Sequence, residues 1–193
     1  MTGENSATGE LRGIRNVILV GARGSGKTSV GRELARRLGW VFIDTDAQAE
    51  AATGQSIRSL FEDGDEAFFR RLETGILRGA ARQSQQVISV GGGAVLATEN
   101  RELLRTAGVC IWLVAPAEEL HRRVTQDPTS AERRPALTPL DGLEEMREVL
   151  RRRGPLYAEV AHHVVETGQR TIAEVADEVL RVLSEHGPSG RRP

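Results

Sequence analysis

The chain has 193 residues, of which 39% are hydrophobic and 27% are charged, and its formal net charge is −1. This length fits one domain with or without a small appended lid, and the balanced charge gives no electrostatic reason to expect a nucleic-acid or anionic-membrane partner. Because no apolar run of about 18 residues and no signal-peptide pattern is present, we expect a cytoplasmic protein.

Both ends of the chain are rich in Gly, Ser, Thr, Pro and charged residues. Such segments cannot bury enough apolar surface to offset the entropy lost on ordering. We therefore expect disordered tails over residues 1–13 and 187–193, and one folded domain over residues 14–186.

The first predicted element is a buried parallel strand over Asn16–Val20, which consists mainly of β-branched and aliphatic residues. Residues 21–28 then match the phosphate-binding pattern G-x-x-x-x-G-K-[ST]. Residues 27–38 carry apolar side chains at helical spacing. This order fits the motif, because the turn aims backbone N–H groups at phosphates and the helix N-terminus adds a partial positive charge.

Lys27 is the only lysine in the chain, and the other 25 basic residues are arginines. A rare residue can occupy any position by chance, but here it stands within the phosphate-binding pattern. A compact ammonium on a flexible stem can reach between β- and γ-phosphates, whereas a planar guanidinium has a different shape and reach. The pattern also predicts that the Thr28 hydroxyl binds Mg²⁺.

A second strand is predicted over residues 40–44, followed by a short helix over 47–52. Asp44 and Asp46 stand at the C-terminal end of this strand, where open α/β sheets bind their ligands. On an extended chain the two carboxylates point to similar sides, so one could assist Mg²⁺ through water and the other could meet an acceptor hydroxyl. Alternatively, one aspartate caps the following helix, and both roles are compatible.

The next predicted helix covers residues 57–82, with a break near 63–65 where aspartate and glycine disfavour a helix interior. Arg70 lies in this helix and is a candidate for bidentate binding of a carboxylate, whereas Arg71 fits an ordinary charged face. A third strand over 86–90 leads into three glycines at 91–93. They allow a ligand to approach the backbone and bind its N–H groups.

Strands over residues 109–114 and 163–166 and helices over 100–107, 117–124, 143–153 and 171–183 complete the pattern. The alternation predicts an α/β fold with a parallel sheet covered on both faces, in which Cys110 is buried and inert. Residues 126–141 contain three prolines and little periodicity, which favours a mobile, arginine-bearing lid over an exposed loop. Residues 151–153 are basic, as is common in a last helical turn.

Together these features resemble the shikimate kinase family from about Val17 to Leu183. The markers are residues 24–28 (GSGKT), 42–46 (FIDTD), 69–70 (FR), 91–95 (GGGAV), 134–135 (RP) and 153–157 (RGPLY). The resemblance implies a P-loop, nucleoside-monophosphate-kinase-like α/β fold with a five-stranded parallel sheet in the order 2-3-1-4-5. It also implies ATP-dependent phosphorylation of the 3-hydroxyl of shikimate, in chorismate and aromatic amino acid biosynthesis.

The resemblance also implies a role for each matching position. The ATP phosphates would be bound by Gly24, Ser25, Gly26, Lys27, Thr28 and Ser29, and by Arg134 from the lid; Arg170 would lie near the adenine, where Arg123 is a second candidate. The implied cofactor is Mg²⁺, bound by Thr28, with Asp44 behind it and acting through water. Shikimate would be bound by Asp46, Arg70, Gly92 and Arg153, with Lys27, Asp46 and Arg134 as the catalytic residues.

The chain departs from the usual family pattern in two places. The glycine ahead of the Phe-Arg pair is shifted, and the stretch from Arg123 to Arg134 is longer, with residues 125–132 extra. Two other functions remain as alternatives: a related small-molecule kinase that resembles gluconate kinase, and a non-catalytic nucleotide-binding regulator. We expect a monomer whose partners are shikimate and ATP, with no nucleic-acid or membrane partner.

Overall fold

Five strands and eight α-helices alternate in a computed structural model that describes residues 11, 13–62, 64–127 and 142–186. The strands are β1 (Asn16–Val20), β2 (Val41–Asp44), β3 (Gln86–Ser89), β4 (Val109–Val114) and β5 (His163–Glu166). The helices are α1 (Lys27–Leu38), α2 (Thr45–Thr53), α3 (Ile57–Glu62), α4 (Glu66–Ala81), α5 (Thr98–Thr106), α6 (Ala117–Gln126), α7 (Gly142–Val160) and α8 (Ile172–Glu185). A short 3₁₀ turn covers Ala94–Leu96.

The strands form one sheet in the order β2-β3-β1-β4-β5, and all of its neighbouring strands run parallel. The predicted fold class and strand order are therefore confirmed. The central strand β1 is fully buried, and its neighbours β3 and β4 lie on opposite sides of it. Ligands of open α/β sheets bind at such a switch in strand order, beyond the carboxyl ends of the strands.

Alternate residues of β1 contribute to two separate cores, as the strand period of two requires. Val17 and Leu19 face a cluster that includes the buried side chains of α1 and α8. Ile18 and Val20 face a second cluster, built with α4, α5 and α7. The sheet is thus the middle layer of three, and it fixes the positions of the loops at its carboxyl edge.

The structure corrects the predicted boundary of the N-terminal tail. Leu11 is 8% exposed and packs in the cluster shared by α1 and α8, so a tail that extends to residue 13 is wrong at this position. Burial of an apolar side chain outweighs the loop-like composition around it. The buried, inert state expected of Cys110 is confirmed, since burial raises the pKa of its thiol.

Two helices also differ from their predicted bounds. The helix α2 begins at Thr45, so Asp46 is helical rather than extended. The helix α7 continues through Pro155 to Val160, and Arg153 therefore lies inside it and not in its last turn. Proline in a helix interior costs about 3 kcal/mol, and burial of Tyr157 and Val160 on the far side of Pro155 offsets this cost.

The predicted break in the long helix is confirmed, because α3 ends at Glu62 and α4 begins at Glu66, with Gly64 at φ +80° between them. The predicted lid falls mostly outside the described residues, which omit 128–141 and with them Arg134. Within the described ranges, no helix has the length and apolarity required to cross a membrane.

Candidate active site

A cleft of about 330 Å³ lies at the carboxyl ends of β1, β2 and β3. Its walls include the phosphate-binding loop (residues 21–28), both aspartates predicted to act there, Asp44 and Asp46, and Gly92 from the glycine segment (residues 91–93). The topology thus brings the predicted phosphate-binding and metal-assisting residues together with Asp46 and Gly92, two of the four residues predicted to bind the acceptor.

The phosphate-binding loop has the backbone that its glycines permit. Gly24 and Gly26 have φ of +81° and +89°, in the left-handed region where residues with a side chain are strained. A Cβ on Gly24 would also lie 2.7 Å from the carbonyl oxygen of Leu120 in α6. Gly26 is the N-cap of α1, so the loop leads directly into a helix N-terminus that favours anions.

The ammonium of Lys27 is anchored to this loop. Its Nζ donates to the carbonyl oxygens of Gly21 and Ala22, both at 2.9 Å, and lies 3.5 Å from Ser25 Oγ. The loop therefore presents one positive charge beside a set of backbone donors, which is the arrangement that binds a polyphosphate.

Asp44 connects the phosphate-binding loop to β2. The hydroxyl of Thr28 donates to Asp44 Oδ2 at 2.9 Å. The other oxygen, Oδ1, accepts from the N–H groups of Asp46 and Ala47 at 3.1 and 3.3 Å, so Asp44 is the N-cap of α2. The capping alternative is thereby confirmed, and the remaining carboxylate oxygen is held against the Thr28 hydroxyl.

A hydroxyl and a carboxylate are the hard oxygen donors that suit Mg²⁺. The described residues contain no cluster of three or more His, Cys, Asp or Glu side chains that could bind a metal ion. Mg²⁺ in phosphate-transferring sites is usually held by one or two protein oxygens together with substrate phosphates and water. Thr28 and Asp44 fit that kind of site, and a dedicated protein cage is not required.

Asp46 and the glycine segment are joined through the start of α2. Thr45 is buried, and its hydroxyl accepts from the N–H of Gly91 at 3.1 Å. This contact fixes the first turn of α2, and with it Asp46, against the end of β3. Asp44 and Asp46 both line the cleft, although not by the extended geometry that their spacing predicted.

Arg70 lies on α4, where a set of contacts fixes its guanidinium. It donates to Glu73 at 3.0 Å and to Glu66 at 3.3 Å, and it lies over the rings of Phe61 and Phe69 at 5.6 and 5.4 Å. The Glu73 side chain is only 3% exposed, so this ion pair is shielded from solvent.

The glycine segment makes room for that guanidinium. A Cβ on Gly93 would lie 2.6 Å from Arg70 Nη1, a separation that carbon and nitrogen cannot adopt. Arg153, on α7, donates to the carbonyl oxygen of Gly92 at 3.2 Å. Among the described residues, the cleft lining does not include Arg70 or Arg153. Arg153 contacts the cleft through the carbonyl oxygen of Gly92, and Arg70 lies beside Gly93.

A second depression of about 330 Å³ adjoins the phosphate-binding loop and contains both adenine candidates, Arg123 and Arg170. Arg123 donates to the carbonyl oxygen of Thr167 at 2.6 Å, to its hydroxyl at 3.1 Å and to Gly24 at 3.4 Å. It also donates to Glu119, and hydrogen bonds from Arg122 and then Arg123 lower the pKa of Glu119 to about 2. Arg170 is exposed and donates to the Glu166 carbonyl oxygen.

Several residues that shape the cleft were not singled out by their sequence patterns. Arg23, Glu50 and Ile57 line it, and the Tyr157 hydroxyl donates to the Gly92 carbonyl oxygen at 2.6 Å. Arg23 and Tyr157 have a local signal, since they lie within the phosphate-binding pattern and the marker at residues 153–157. Glu50 and Ile57 approach the cleft through tertiary packing, which periodicity and spacing do not encode.

Comparison with known proteins gives a consistent result. The family model for shikimate kinase matches residues 23–184. A shikimate kinase from Symbiobacterium thermophilum is 44% identical over 175 residues, covering 91% of this chain and 99% of the relative. The solved shikimate kinase from Acinetobacter baumannii, in complex with shikimate, aligns with a TM-score of 0.85 at 35% identity, covering 93% of this chain and 98% of that one.

A gluconokinase from Sinorhizobium meliloti aligns with a TM-score of 0.54 at 22% identity, over 90% of this chain and 94% of that one. At this identity the likeness concerns the fold alone, and it does not support the gluconate-kinase alternative. The match to the family model covers most of the chain and agrees with the order of the sequence markers. The chain belongs to the shikimate kinase family.

Proposed function

We propose that the cleft carries out the shikimate kinase reaction, in which the γ-phosphoryl group of ATP passes to the 3-hydroxyl of shikimate. The observation that carries this proposal is the placement of Asp46 in one cleft with Lys27 and Gly92. An acceptor that binds between the glycine segment and Asp46 would place a hydroxyl beside the Asp46 carboxylate. The phosphate-binding loop would lie in the same cavity.

On the donor side, residues 24–29 bind the ATP phosphates through backbone N–H groups, the Lys27 ammonium and the dipole of α1. Thr28 and Asp44 would hold Mg²⁺, which would supply positive charge to neutralise the nucleotide phosphates. The adenine occupies the depression that contains Arg123 and Arg170. Arg134 acts as a catalytic residue on the ATP phosphates, a role that is supported by the family resemblance alone.

On the acceptor side, shikimate is a small polyhydroxylated carboxylate. Arg70 and Arg153 bind its carboxylate from two directions, and the glycine segment between them donates backbone N–H groups. Asp46 accepts hydrogen bonds from its hydroxyls and orients the attacking one. The paired arginines distinguish this acceptor from a neutral sugar, because a carboxylate supplies the negative charge that a neutral sugar lacks.

The chemistry is an in-line displacement in which positioning and charge stabilisation supply most of the catalysis. Lys27 stabilises negative charge on the phosphoryl oxygens, since its ammonium is fixed in place before the reaction begins. Asp46 takes the hydroxyl proton, which leaves late if the transition state is loose.

An assay that couples ADP release to NADH oxidation tests the proposed activity. We expect ADP release to require ATP, Mg²⁺ and shikimate together, and to stop when EDTA removes the metal. A shikimate analogue with a ketone at position 3 should give no turnover, because it lacks the attacking hydroxyl. If gluconate stimulated ADP release and shikimate did not, the related-kinase alternative would be correct.

A non-catalytic regulator would bind ATP without acceptor-dependent turnover. Shikimate-dependent ADP release in the same assay would exclude this alternative, and ATP binding without it would support it. The arrangement of Arg70, Arg153 and Asp46 around the cleft argues against a regulator, because a nucleotide switch does not need an acceptor site. We also propose that the enzyme is a cytoplasmic monomer, and size-exclusion chromatography with light scattering tests the oligomeric state.

Replacement of Gly93 by alanine should weaken shikimate binding without unfolding the protein. The new methyl group would displace the flexible end of Arg70 rather than backbone. We expect the KM for shikimate to rise about tenfold, since displacing a packed group costs roughly 1–3 kcal/mol. The KM for ATP should stay near the wild-type value.

The matched control is Gly75→Ala on α4, where a Cβ would meet no atom within 4 Å. That change should leave both KM values unaltered and raise the thermal midpoint slightly, because alanine is a better helix former than glycine. An equal change in the two KM values of Gly93→Ala would show that Gly93 does not act through Arg70.

A further inference from the structure

The peptide that joins Gly92 to Gly93 is held from one side by two donors. The Tyr157 hydroxyl donates to the Gly92 carbonyl oxygen at 2.6 Å, and Arg153 Nη1 donates to the same oxygen at 3.2 Å. A carbonyl oxygen has two lone pairs, so both bonds can exist together. Tyr157 is fully buried and its ring lies 5.7 Å from that of Trp112, so close packing restricts the hydroxyl to this position.

The other polar groups of the glycine segment are mostly bonded within the protein. Its other two carbonyl oxygens accept from the N–H groups of Ala94 and Leu96, and its first N–H donates to Thr45. Among the residues that the structure describes, the N–H groups of Gly92 and Gly93 donate no hydrogen bond. They are the donors of this segment that remain for a ligand.

The carbonyl contact determines where one of these donors points. In a trans peptide the C=O and the following N–H point in opposite directions. Fixing the Gly92 oxygen on Tyr157 therefore points the Gly93 N–H away from Tyr157. Glycine on both sides of the peptide gives it wide rotational freedom, so without an external contact its orientation would be poorly defined.

We propose that Tyr157 is a positioning residue for the acceptor carboxylate. By holding the Gly92 carbonyl oxygen on the side of Arg153, it fixes the direction of the Gly93 N–H on the opposite side, so that this donor is in place when the carboxylate binds. Tyr157 itself does not touch the substrate. This inference rests on the proposed function, because it takes the carboxylate of shikimate as the ligand.

Tyr157→Phe tests the inference, because it removes the hydroxyl and keeps the ring. We expect the KM for shikimate to rise about five- to tenfold, the effect of losing one buried hydrogen bond. The KM for ATP and kcat should stay near their wild-type values. A KM does not depend on the fraction of enzyme that is folded, so a modest loss of stability would not imitate this result.

A second acceptor separates positioning from general packing. In a shikimate analogue whose carboxylate is reduced to a hydroxymethyl group, the proposed ligand is absent. The wild type and Tyr157→Phe should then have equal kcat/KM. The matched control is Trp112→Phe, which alters packing beside the Tyr157 ring and leaves the hydroxyl in place. It should keep the wild-type KM for shikimate.

A spectroscopic measurement needs no substitution. Tyr157 is the only tyrosine in the chain, so growth on 3-fluorotyrosine labels this position alone. We expect its ¹⁹F resonance to shift when shikimate binds and to stay in place when the hydroxymethyl analogue binds. This result remains accessible even if Tyr157→Phe does not fold.

Three outcomes would overturn the inference: an unchanged shikimate KM in folded Tyr157→Phe, an equal loss of kcat/KM with both acceptors, or a ¹⁹F resonance that saturating shikimate leaves unmoved. In each of these cases the wild type would still phosphorylate shikimate. Failure of the wild type to do so would instead overturn the proposed function, so the two failures can be told apart.

Discussion

Asp46→Asn should abolish nearly all turnover of shikimate while ATP still binds. Asp46 lines the same cleft as Lys27 and Gly92 and lies in the first turn of α2. The amide keeps the size of the carboxylate but removes its basicity and negative charge. General-base catalysis typically contributes about 10²- to 10⁴-fold to the rate, so we expect kcat to decrease by a factor in that range. Steady-state kinetics and nucleotide-binding calorimetry on the same preparation measure the two effects.

Glu50→Gln is a matched control for Asp46→Asn. Glu50 is a second carboxylate that lines this cleft, and its Oε1 accepts from the backbone N–H of Ile57. A glutamine oxygen can still accept that bond, so Glu50→Gln should retain most of the activity. Near-normal turnover by Asp46→Asn would contradict the assignment of Asp46, and an equal loss in both variants would attribute the effect to the charge of the cleft as a whole.

The phosphate-binding loop could be predicted in position and in role, because its chemistry is local. The loop needs glycines where φ is positive, a lysine, a hydroxyl and a helix N-terminus, and all of these are contiguous in sequence. The alternation of strands and helices is likewise a local signal, and it gives the α/β class. The strand order came from the family resemblance, because residue patterns alone do not specify which strands are neighbours.

The acceptor side could be predicted only by residue type. Arg70 and Gly93 are distant in sequence, and the need for glycine at position 93 arises from the guanidinium that occupies the space a Cβ would fill. The contact between Tyr157 and Gly92 likewise joins residues 65 positions apart. Local sequence patterns do not predict contacts between residues that are so distant in sequence.

Errors in helix boundaries have the same origin. Local propensity ends α7 before Pro155, but Tyr157 and Val160 are buried when the helix continues. Local propensity also places Asp46 on an extended chain, whereas capping by Asp44 starts α2 at Thr45. In both cases a tertiary or capping interaction outweighs the intrinsic preference, as is common for helix ends.

Arg70→Ala should also abolish most of the turnover of shikimate and leave ATP binding intact. The substitution leaves the shikimate carboxylate without one of its two arginine partners. Truncating one member of a buried charge pair costs about 2–5 kcal/mol, or roughly 30- to 5,000-fold in kcat/KM at about 1.36 kcal/mol per decade. The value of kcat/KM for shikimate should fall, and the dissociation constant for ATP should stay at the wild-type value.

Stability must be separated from binding in this variant, because Arg70 also pairs with Glu73, whose side chain is 3% exposed. Removing the arginine leaves that carboxylate without one of its charged partners and should lower the thermal midpoint. Arg70→Lys retains a positive charge near Glu73 but lacks the planar fork that binds a carboxylate bidentately. It should recover more of the stability than of the activity.

The exposed neighbour Arg71 supplies the control for charge and helix propensity. Arg71→Ala removes the same side chain from the same helix, one position along, and should leave both KM values unchanged. If Arg71→Ala and Arg70→Ala lost activity equally, the net charge of α4 would explain the effect. If Arg70→Ala kept near-normal turnover, the carboxylate would have to be bound by Arg153 and the glycine segment alone, and the acceptor site would need to be reassigned around α7.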